Sequence, residues 1–191
     1  MKTSILAAAL GLAFSTGAFA QAGTVQRDVN QQQRIEQGLQ SGQLNTKEAS
    51  RLEGEEARVE RDQQRAMKDG TLTPAEKQRL SREQNQVSRD IYREKHDAQK
   101  GNPNSASSQR MQADVQRNIN QQQRIEQGVK SGSLTTRETA KLEGGQARDS
   151  RKEARAGADG NVGKGEQHRI QHAENKQSRT IHKEKHDGQT K

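Results

Sequence analysis

The chain has 191 residues, with 33 Lys and Arg against 25 Asp and Glu, which gives a formal net charge of +8 at neutral pH. It contains no cysteine, which excludes disulfides and thiolate metal sites, and only 2% aromatic residues, which leaves few rings to stack on nucleic-acid bases. A hydrophobic content of 26% approaches that of disordered chains, but most polar residues are Gln, Glu, Arg and Lys, which favour helices. We therefore expect a thinly packed helical protein that does not bind nucleic acid.

The first 20 residues have the pattern of a secretory signal peptide. Lys2 precedes an apolar run from Ile5 to Phe14, and Ala18-Phe-Ala20 has the small-residue spacing of a cleavage site. The apolar run is too short to cross a bilayer as a helix. We predict cleavage after Ala20, a periplasmic or secreted location, and no membrane span in the mature chain.

The rest of the sequence is a tandem duplication. Residues 25–99 align with residues 115–189 at a fixed offset of 90 residues, without a gap and with about half of the positions identical. The segments 30–38 and 94–97 recur unchanged in the second copy. A duplication this regular predicts two copies of one supersecondary unit.

Cap signals divide each copy into three helices. Thr73 is a predicted N-cap with Pro74 at N1 and Glu76 at N3, and Asn45 with Glu48 forms an earlier capping box. The predicted helices span residues 24–40, 46–68, 74–99, 112–130, 136–156 and 165–187. The predicted organisation is a signal peptide (1–20), a first helical repeat (24–99), a flexible linker (100–111) and a second helical repeat (112–189).

The helices have a coiled-coil-like seam that polar residues interrupt. In the second helix, Glu56 and Gln63 occupy seam positions on either side of Val59. The sequence predicts an all-α fold in which each repeat is an antiparallel three-helix unit. Because the apolar content is low for domains of this size, we expect homo-oligomer formation or partner binding to supply further burial.

The second repeat is predicted to be the less stable one. Asp149 replaces the seam residue Val59, and Gln177 replaces Val87 at another seam position. In addition, Gly163 stands where the first repeat has its Thr cap, and loss of a good N-cap costs about 1 kcal/mol.

Four histidines of the last helix form two pairs with i,i+4 spacing, and such pairs can share one metal ion. The pairs are His168 with His172 and His182 with His186. They predict Ni, Cu or Zn binding by the second repeat alone, because the first repeat has only His96 at these places. The alternative is that they are exposed residues of a polar helix, without a metal.

The segments that recur unchanged predict a second candidate site at one end of each repeat. In an up-down-up bundle, the carboxyl ends of the first and third helices lie at the same end. The candidate partner-binding residues there are Arg34, Glu36, Lys95 and His96, with Arg124, Glu126, Lys185 and His186 in the second copy. A structural role is the alternative, in which Arg34 or Lys95 pairs with the carboxylates at this end and Ile35 packs on Ile91.

No catalytic motif is present, and the sequence predicts a protein without enzymatic activity. The many carboxylates lie beside Lys or Arg in the sequence, so we expect them to be ionised and solvated. When the segment 65–76 is aligned with a twelve-residue EF-hand loop, its second half matches the ligand pattern. Its first half does not, because Arg65 and Met67 stand at positions where oxygen ligands belong, which argues against calcium there.

Leu72-Thr-Pro-Ala-Glu76 resembles the L-T-x-x-Q motif of the Spy and CpxP periplasmic chaperones, and 134–138 and 44–48 are similar to it. That resemblance implies a small exported helical protein that holds unfolded clients or a sensor domain. The whole chain also resembles uncharacterised exported proteobacterial helical-repeat proteins. We expect a non-enzymatic, chaperone-like periplasmic binding module whose partner is a protein client or an envelope component. The alternatives are a metal-binding protein that uses the paired histidines, and electrostatic binding to anionic envelope polymers.

Overall fold

A computed structural model describes residues 16–188, with the side chains of residues 21–188. This part of the chain contains six helices and no strand, which confirms the prediction of an all-α fold. The helices are α1 (Thr16–Ser41), α2 (Thr46–Ala66), α3 (Pro74–His96), α4 (Ala106–Ser131), α5 (Thr136–Ala156) and α6 (Lys164–Lys185). None of them is both long and apolar enough to cross a membrane. Of the predicted signal peptide, residues 1–15 lie outside the described residues.

The helix starts follow from side-chain caps. Asn45 and Thr73 form the capping boxes that the sequence predicts, and Thr135 forms the corresponding box at the start of α5. At the start of α6, Gly163 has no side chain to cap the helix, and only the half of the box supplied by Glu166 is made. These caps satisfy backbone N–H groups that would otherwise lack partners in the first turn.

Within each repeat the three helices run up, down and up. Gln31 Nε2 of α1 donates to the carbonyl of Gln84 (2.6 Å), and Arg34 Nη2 donates to the carbonyl of Ser88 (3.1 Å). From the first of these bonds to the second, the residue numbers increase on both α1 and α3, which shows that the two helices are parallel. Gln63 Nε2 of α2 donates to Asp28 Oδ2 at 2.7 Å, which ties the antiparallel α2 to the same helix.

The two repeats pack face to face through equivalent helices. The most extensive contacts join α2 to α5 and α1 to α4, and both pairs are antiparallel. Where α2 crosses α5 near Gly54, a Cβ at this glycine would lie 3.4 Å from the Cβ of Ala154. At the equivalent glycine of the second repeat, Gly144, the absence of a side chain makes room for Gln64. The helices α1, α2, α4 and α5 therefore form a central four-helix bundle, flanked by α3 on one side and α6 on the other.

The fourth helix begins inside the segment 100–111 that the sequence predicts to be a flexible linker. Residues 106–111 belong to α4, because Ser105 caps this helix through the N–H of Ser108. The preceding residues are fixed to the first repeat, since the N–H of Gly101 donates to the carbonyl of Gly42 at 2.9 Å. The second repeat covers much of the seam of the first repeat through the contacts of α5 with α2 and of α4 with α1.

Two apolar clusters fill the two ends of the bundle, and each contains residues of both repeats. One cluster joins Leu52 and Ile91 to Met111 and Ile119, and the other joins Val25 to Leu142. On α1 and α4, buried polar residues lie between the two clusters, among them Asp28 and Gln32 on α1 and Gln121 and Gln122 on α4.

Candidate functional site

A layer of buried carboxyl and amide side chains separates the two apolar clusters. Its carboxyl groups, at most 3% exposed, are those of Asp28, Glu53, Glu56, Glu60, Asp114, Glu143, Asp149, Glu153 and Glu174. The sequence-based expectation that carboxylates are solvated is therefore wrong for these nine residues. The seam positions in the sequence predict burial of Glu56 and Gln63. They do not predict burial of the remaining carboxyl groups, which are enclosed because the two repeats pack against each other.

Amides, rather than cations, are the main partners of this layer. Asp28 accepts hydrogen bonds from Gln63 and Gln84, and Glu60 accepts hydrogen bonds from Gln122 and Ser150 of the other repeat. Within residues 21–188, ion pairs reach two of the nine carboxyl groups, from Arg117 to Glu174 (3.2 Å) and from Lys152 to Asp149 (2.8 Å). The layer thus joins the two repeats by polar contacts without neutralising its own charge.

Burial changes the protonation of these groups. Burial raises the pKa of Asp28 and of Glu53 to about 7, from ordinary values of 3.8 and 4.5. It raises the pKa of Glu174 to about 8, helped by repulsion from Asp114. For Glu56, burial and the neighbouring carboxylates place the pKa well above its ordinary value. Part of the layer is therefore protonated at neutral pH, and a protonated carboxyl group can donate a hydrogen bond where a carboxylate only accepts.

Two equivalent surface grooves, one in each repeat, carry opposite charge. The groove between α2 and α3, here called the acidic groove, has a volume of about 330 Å³ and is lined by Glu55, Arg58, Val59, Asp62, Glu83, Gln86, Val87 and Asp90. The groove between α5 and α6, here called the basic groove, has a volume of about 440 Å³ and is lined by Lys141, Gly145, Arg148, Asp149, Lys152, Ala173, Lys176, Gln177 and Thr180. One cation and four carboxyl groups give the acidic groove a formal charge of −3, whereas four cations and one carboxyl group give the basic groove +3.

Two of the four cations of the basic groove have carboxylate partners. Lys141 pairs with Glu184 at 2.9 Å, and Lys152 pairs with Asp149. Among the described residues, Arg148 and Lys176 form no ion pair, and both are exposed. Arg148 and Lys176 therefore give the groove exposed positive charge that forms no ion pair within residues 21–188.

The inverted charge comes from substitutions between the repeats. From the acidic to the basic groove, five equivalent positions each change towards positive charge: Glu55 to Gly145, Asp62 to Lys152, Glu83 to Ala173, Gln86 to Lys176 and Asp90 to Thr180. The first repeat has 14 basic and 14 acidic residues over 24–99, and the second has 15 and 11 over 112–189. Of the two repeats, only the second therefore carries a net positive charge, which is +4. Aligning the two copies reveals these charge changes from the sequence alone, but only the fold shows that the changed positions line one groove.

The four histidines that predict a metal site lie on the exposed side of α6. The rings of His182 and His186 stack with their centroids 4.2 Å apart, and His186 Nδ1 lies 2.7 Å from the carbonyl oxygen of His182. Tyr92 and His96 stack in the same way in the first repeat, with centroids 4.1 Å apart. Ring stacking therefore needs no metal. Within the described residues, the groups of three potential ligands that lie within 4.8 Å of one another contain carboxylates alone.

The predicted partner-binding residues at the ends of α1 and α3 make contacts between helices. Arg34 donates to the carbonyl of Ser88, and its counterpart Arg124 donates to the side chain and the carbonyl of Ser178. Lys95 Nζ donates to the carbonyl of Arg34 at 3.3 Å, and burial lowers the pKa of Lys95. These bonds give a structural reason why the two arginines recur in both repeats.

Of the remaining candidates at this end, Glu126 pairs with Lys130, Lys185 is half-buried, and Glu36 has a pKa raised by burial. Of the structural alternative, Ile35 and Ile91 do belong to one apolar cluster, whereas the hydrogen bonds of Arg34 and Lys95 go to backbone carbonyls rather than to carboxylates.

Comparisons with known proteins give no relative of this chain: no family model, no curated protein and no solved structure matches it.

Proposed function

We propose that the protein is a non-enzymatic binding module that takes up anionic polymers, such as phosphate-rich chains, in the basic groove of its second repeat. The observation that carries this proposal is the unneutralised positive charge of the groove, at the place where the first repeat has negative charge. Electrostatic binding is one of the functions that the sequence predicts, and export to the envelope would bring the protein to anionic polymers there.

The shape of the groove supports an extended ligand. Gly145 and Ala173 replace two glutamates, so both charge and bulk are removed from its walls. Arg148 and Lys176 lie on opposite walls, on α5 and α6. A guanidinium group can bind phosphate or carboxylate oxygens in a bidentate manner, and a lysine adds a mobile point charge beside it.

A chaperone that holds unfolded clients needs apolar surface, and the described residues offer little of it. Tyr92, at 59% exposed, is the large hydrophobic side chain that residues 21–188 leave exposed. Because binding in the basic groove depends on charge, we expect it to weaken as ionic strength rises.

The proposal is tested by titrating labelled polyphosphate against the full chain and following fluorescence anisotropy at low and high salt. The double variant Lys176→Gln with Thr180→Asp gives these two positions of the groove the residues of the first repeat, where Gln86 donates to Asp90. Each unit charge about 4 Å from an opposite charge contributes about 1 kcal/mol in water, so losing one cation and gaining one carboxylate should weaken binding about 30-fold.

The matched control is Lys68→Gln with Lys77→Gln, which lowers the net charge by the same amount at exposed positions of the first repeat. We expect this control to bind like the wild type. Equal weakening by both double variants would show a dependence on net charge alone and would contradict a site in the basic groove. Wild-type affinity that does not change with salt would contradict the proposal as well.

A further inference from the structure

Each repeat places three carboxylates together at the same point of its fold. In the first repeat, Glu48, Glu94 and Asp97 each offer one carboxylate oxygen, and these oxygens all lie within 4.8 Å of one another. The second repeat has the same arrangement at Glu138, Glu184 and Asp187. These two groups are called the carboxylate triads. They are distinct from the buried polar layer and from both grooves.

Helix ends bring the members of each triad together. Glu48 is the N3 residue of α2, where its Oε2 accepts the N–H of Asn45 at 2.9 Å. Glu94 lies in the last turn of α3, and Asp97 is the residue that ends this helix. The N–H of Gly101 donates to the carbonyl of Gly42, which holds the segment after α3 against the turn before α2.

One oxygen in each triad is buried without a hydrogen-bond donor. Glu48 is 6% exposed, and its Oε1 has no partner among the described residues. Glu138 is also 6% exposed, and its Oε1 is in the same situation. A buried carboxylate oxygen beside two other carboxylates is unfavourable unless a counter-charge or a donor is supplied.

Among the described residues, cations form ion pairs with the outer glutamate of each triad but not with its buried glutamate. Arg51 pairs with Glu94 at 3.0 Å, and Lys141 pairs with Glu184 at 2.9 Å, both at the outer members of the triads. Within the described residues, no Lys or Arg forms an ion pair with Glu48 or Glu138. Three carboxylate oxygens within 4.8 Å of one another repel each other, and a bound cation would relieve this repulsion.

All three members of the triad are retained between the repeats. By contrast, half of the 14 carboxylates of residues 24–99 are replaced by other residues at the equivalent positions of the second repeat. The capping role explains why Glu48 and Glu138 are retained. It does not explain Glu94, Asp97 and their counterparts, which cap no helix start.

We propose that each carboxylate triad binds one Ca²⁺ ion, so that the chain holds two. Ca²⁺ is bound by oxygen ligands at about 2.3–2.6 Å, and two oxygens bound to one ion at about 2.4 Å lie at most about 4.8 Å apart. The triads already have this spacing. The ligands are all oxygens and include no histidine, which favours a hard cation over the Ni, Cu or Zn that the sequence predicts. In the first repeat, Glu48 and Glu94 also line a surface cleft of about 610 Å³, which gives the ion and its remaining water ligands a path from solvent.

Isothermal titration calorimetry of the full chain with CaCl₂ tests this proposal. We expect two ions per chain, with a dissociation constant of about 0.1–1 mM, as in extracellular calcium modules. Glu48→Gln should reduce the stoichiometry from two to one, and Glu48→Gln with Glu138→Gln should abolish binding. Glutamine also serves at N3 of a capping box, so the helix starts are kept.

The matched control is Glu76→Gln with Glu166→Gln. These residues occupy N3 of the capping boxes of α3 and α6, and neither belongs to a triad. The control should still bind two ions. If Glu48→Gln loses its helical circular dichroism, Asp97→Asn removes a ligand without touching the cap and should again leave one ion.

Three results would overturn the proposal: a wild type that binds no Ca²⁺, a Glu48→Gln and Glu138→Gln variant that still binds two ions, or a control that loses binding to the same extent.

Discussion

The buried polar layer predicts that the protein becomes less stable as the pH rises. Asp28 is fully buried, and its pKa is raised by burial from 3.8 to about 7. Between these two values the folded chain holds a proton that the unfolded chain releases. The free energy of unfolding therefore falls as the pH rises through this range and stays low above it.

The size of the effect follows from the shift at Asp28. A difference of about 3 pKa units corresponds to about 4 kcal/mol at 1.36 kcal/mol per unit, from one residue. This is a large part of the roughly 5–15 kcal/mol by which folded domains are stable. The other buried carboxyl groups with raised pKa values act in the same direction.

Asp28→Asn isolates this contribution. Asn118 occupies the equivalent position of the second repeat, where it donates to Glu153 at 2.8 Å, so an amide is compatible with this site of the fold. Urea unfolding followed by far-UV circular dichroism at about pH 4 and about pH 9 should show a loss of stability in the wild type that is about 4 kcal/mol larger than in Asp28→Asn. Glu56→Gln, which introduces the residue found at position 146, should reduce the loss as well.

Asp69→Asn is the control with the opposite sign. Hydrogen bonds from Thr71 lower the pKa of this exposed carboxylate, so its contribution is lost as the pH falls rather than as it rises. Asp69→Asn should therefore leave the fall in the free energy of unfolding at rising pH unchanged. The reasoning is refuted if the wild type becomes more stable from about pH 5 to about pH 9, or if Asp28→Asn retains the wild-type pH dependence.

Three further predictions concern the packing of the repeats. A chain of residues 24–99 alone should not be a folded monomer, because its seam would lose α4 and α5; sedimentation equilibrium with circular dichroism checks this, and a folded monomer would contradict it. Leu142→Ala should lower the free energy of unfolding by about 2–5 kcal/mol in urea titrations, since Leu142 is fully buried, whereas a loss below about 1 kcal/mol would contradict the assigned core. Gly163→Thr should raise stability by about 0.5–1 kcal/mol, because it restores the cap of the first repeat at an extended backbone (φ −76°, ψ 162°) with room for a Cβ; a lower thermal midpoint would contradict this.

Local structure could be predicted from the sequence because it depends on local signals. The caps at Asn45 and Thr73 set two helix starts in agreement with the structure, and the spacing of Leu52 and Val59 identified the buried side of α2. The start of α4 at Ala106 was missed, because Ser105 lies within a Gly, Asn and Ser-rich segment that is typical of a linker.

Long-range packing could not be predicted in the same way. The polar seam residues indicated an unsatisfied surface, but they do not specify whether another chain or the second repeat covers it. The basic groove was missed because basic and acidic residues alternate along each helix, and same-sign residues meet only where α5 and α6 pack. The histidines drew attention to the exposed side of α6, whereas the carboxylate triads join residues 46 and 49 positions apart in the sequence.

The most direct test of the proposed function is a lysine footprint of the full chain with and without polyphosphate, in which acetylation of each lysine is quantified by mass spectrometry. Binding in the basic groove predicts that Lys141, Lys152 and Lys176 are protected by the polymer, while the exposed lysines of the first repeat, Lys47, Lys68 and Lys77, react at unchanged rates. Equal protection of both sets, or protection of neither, would contradict the account.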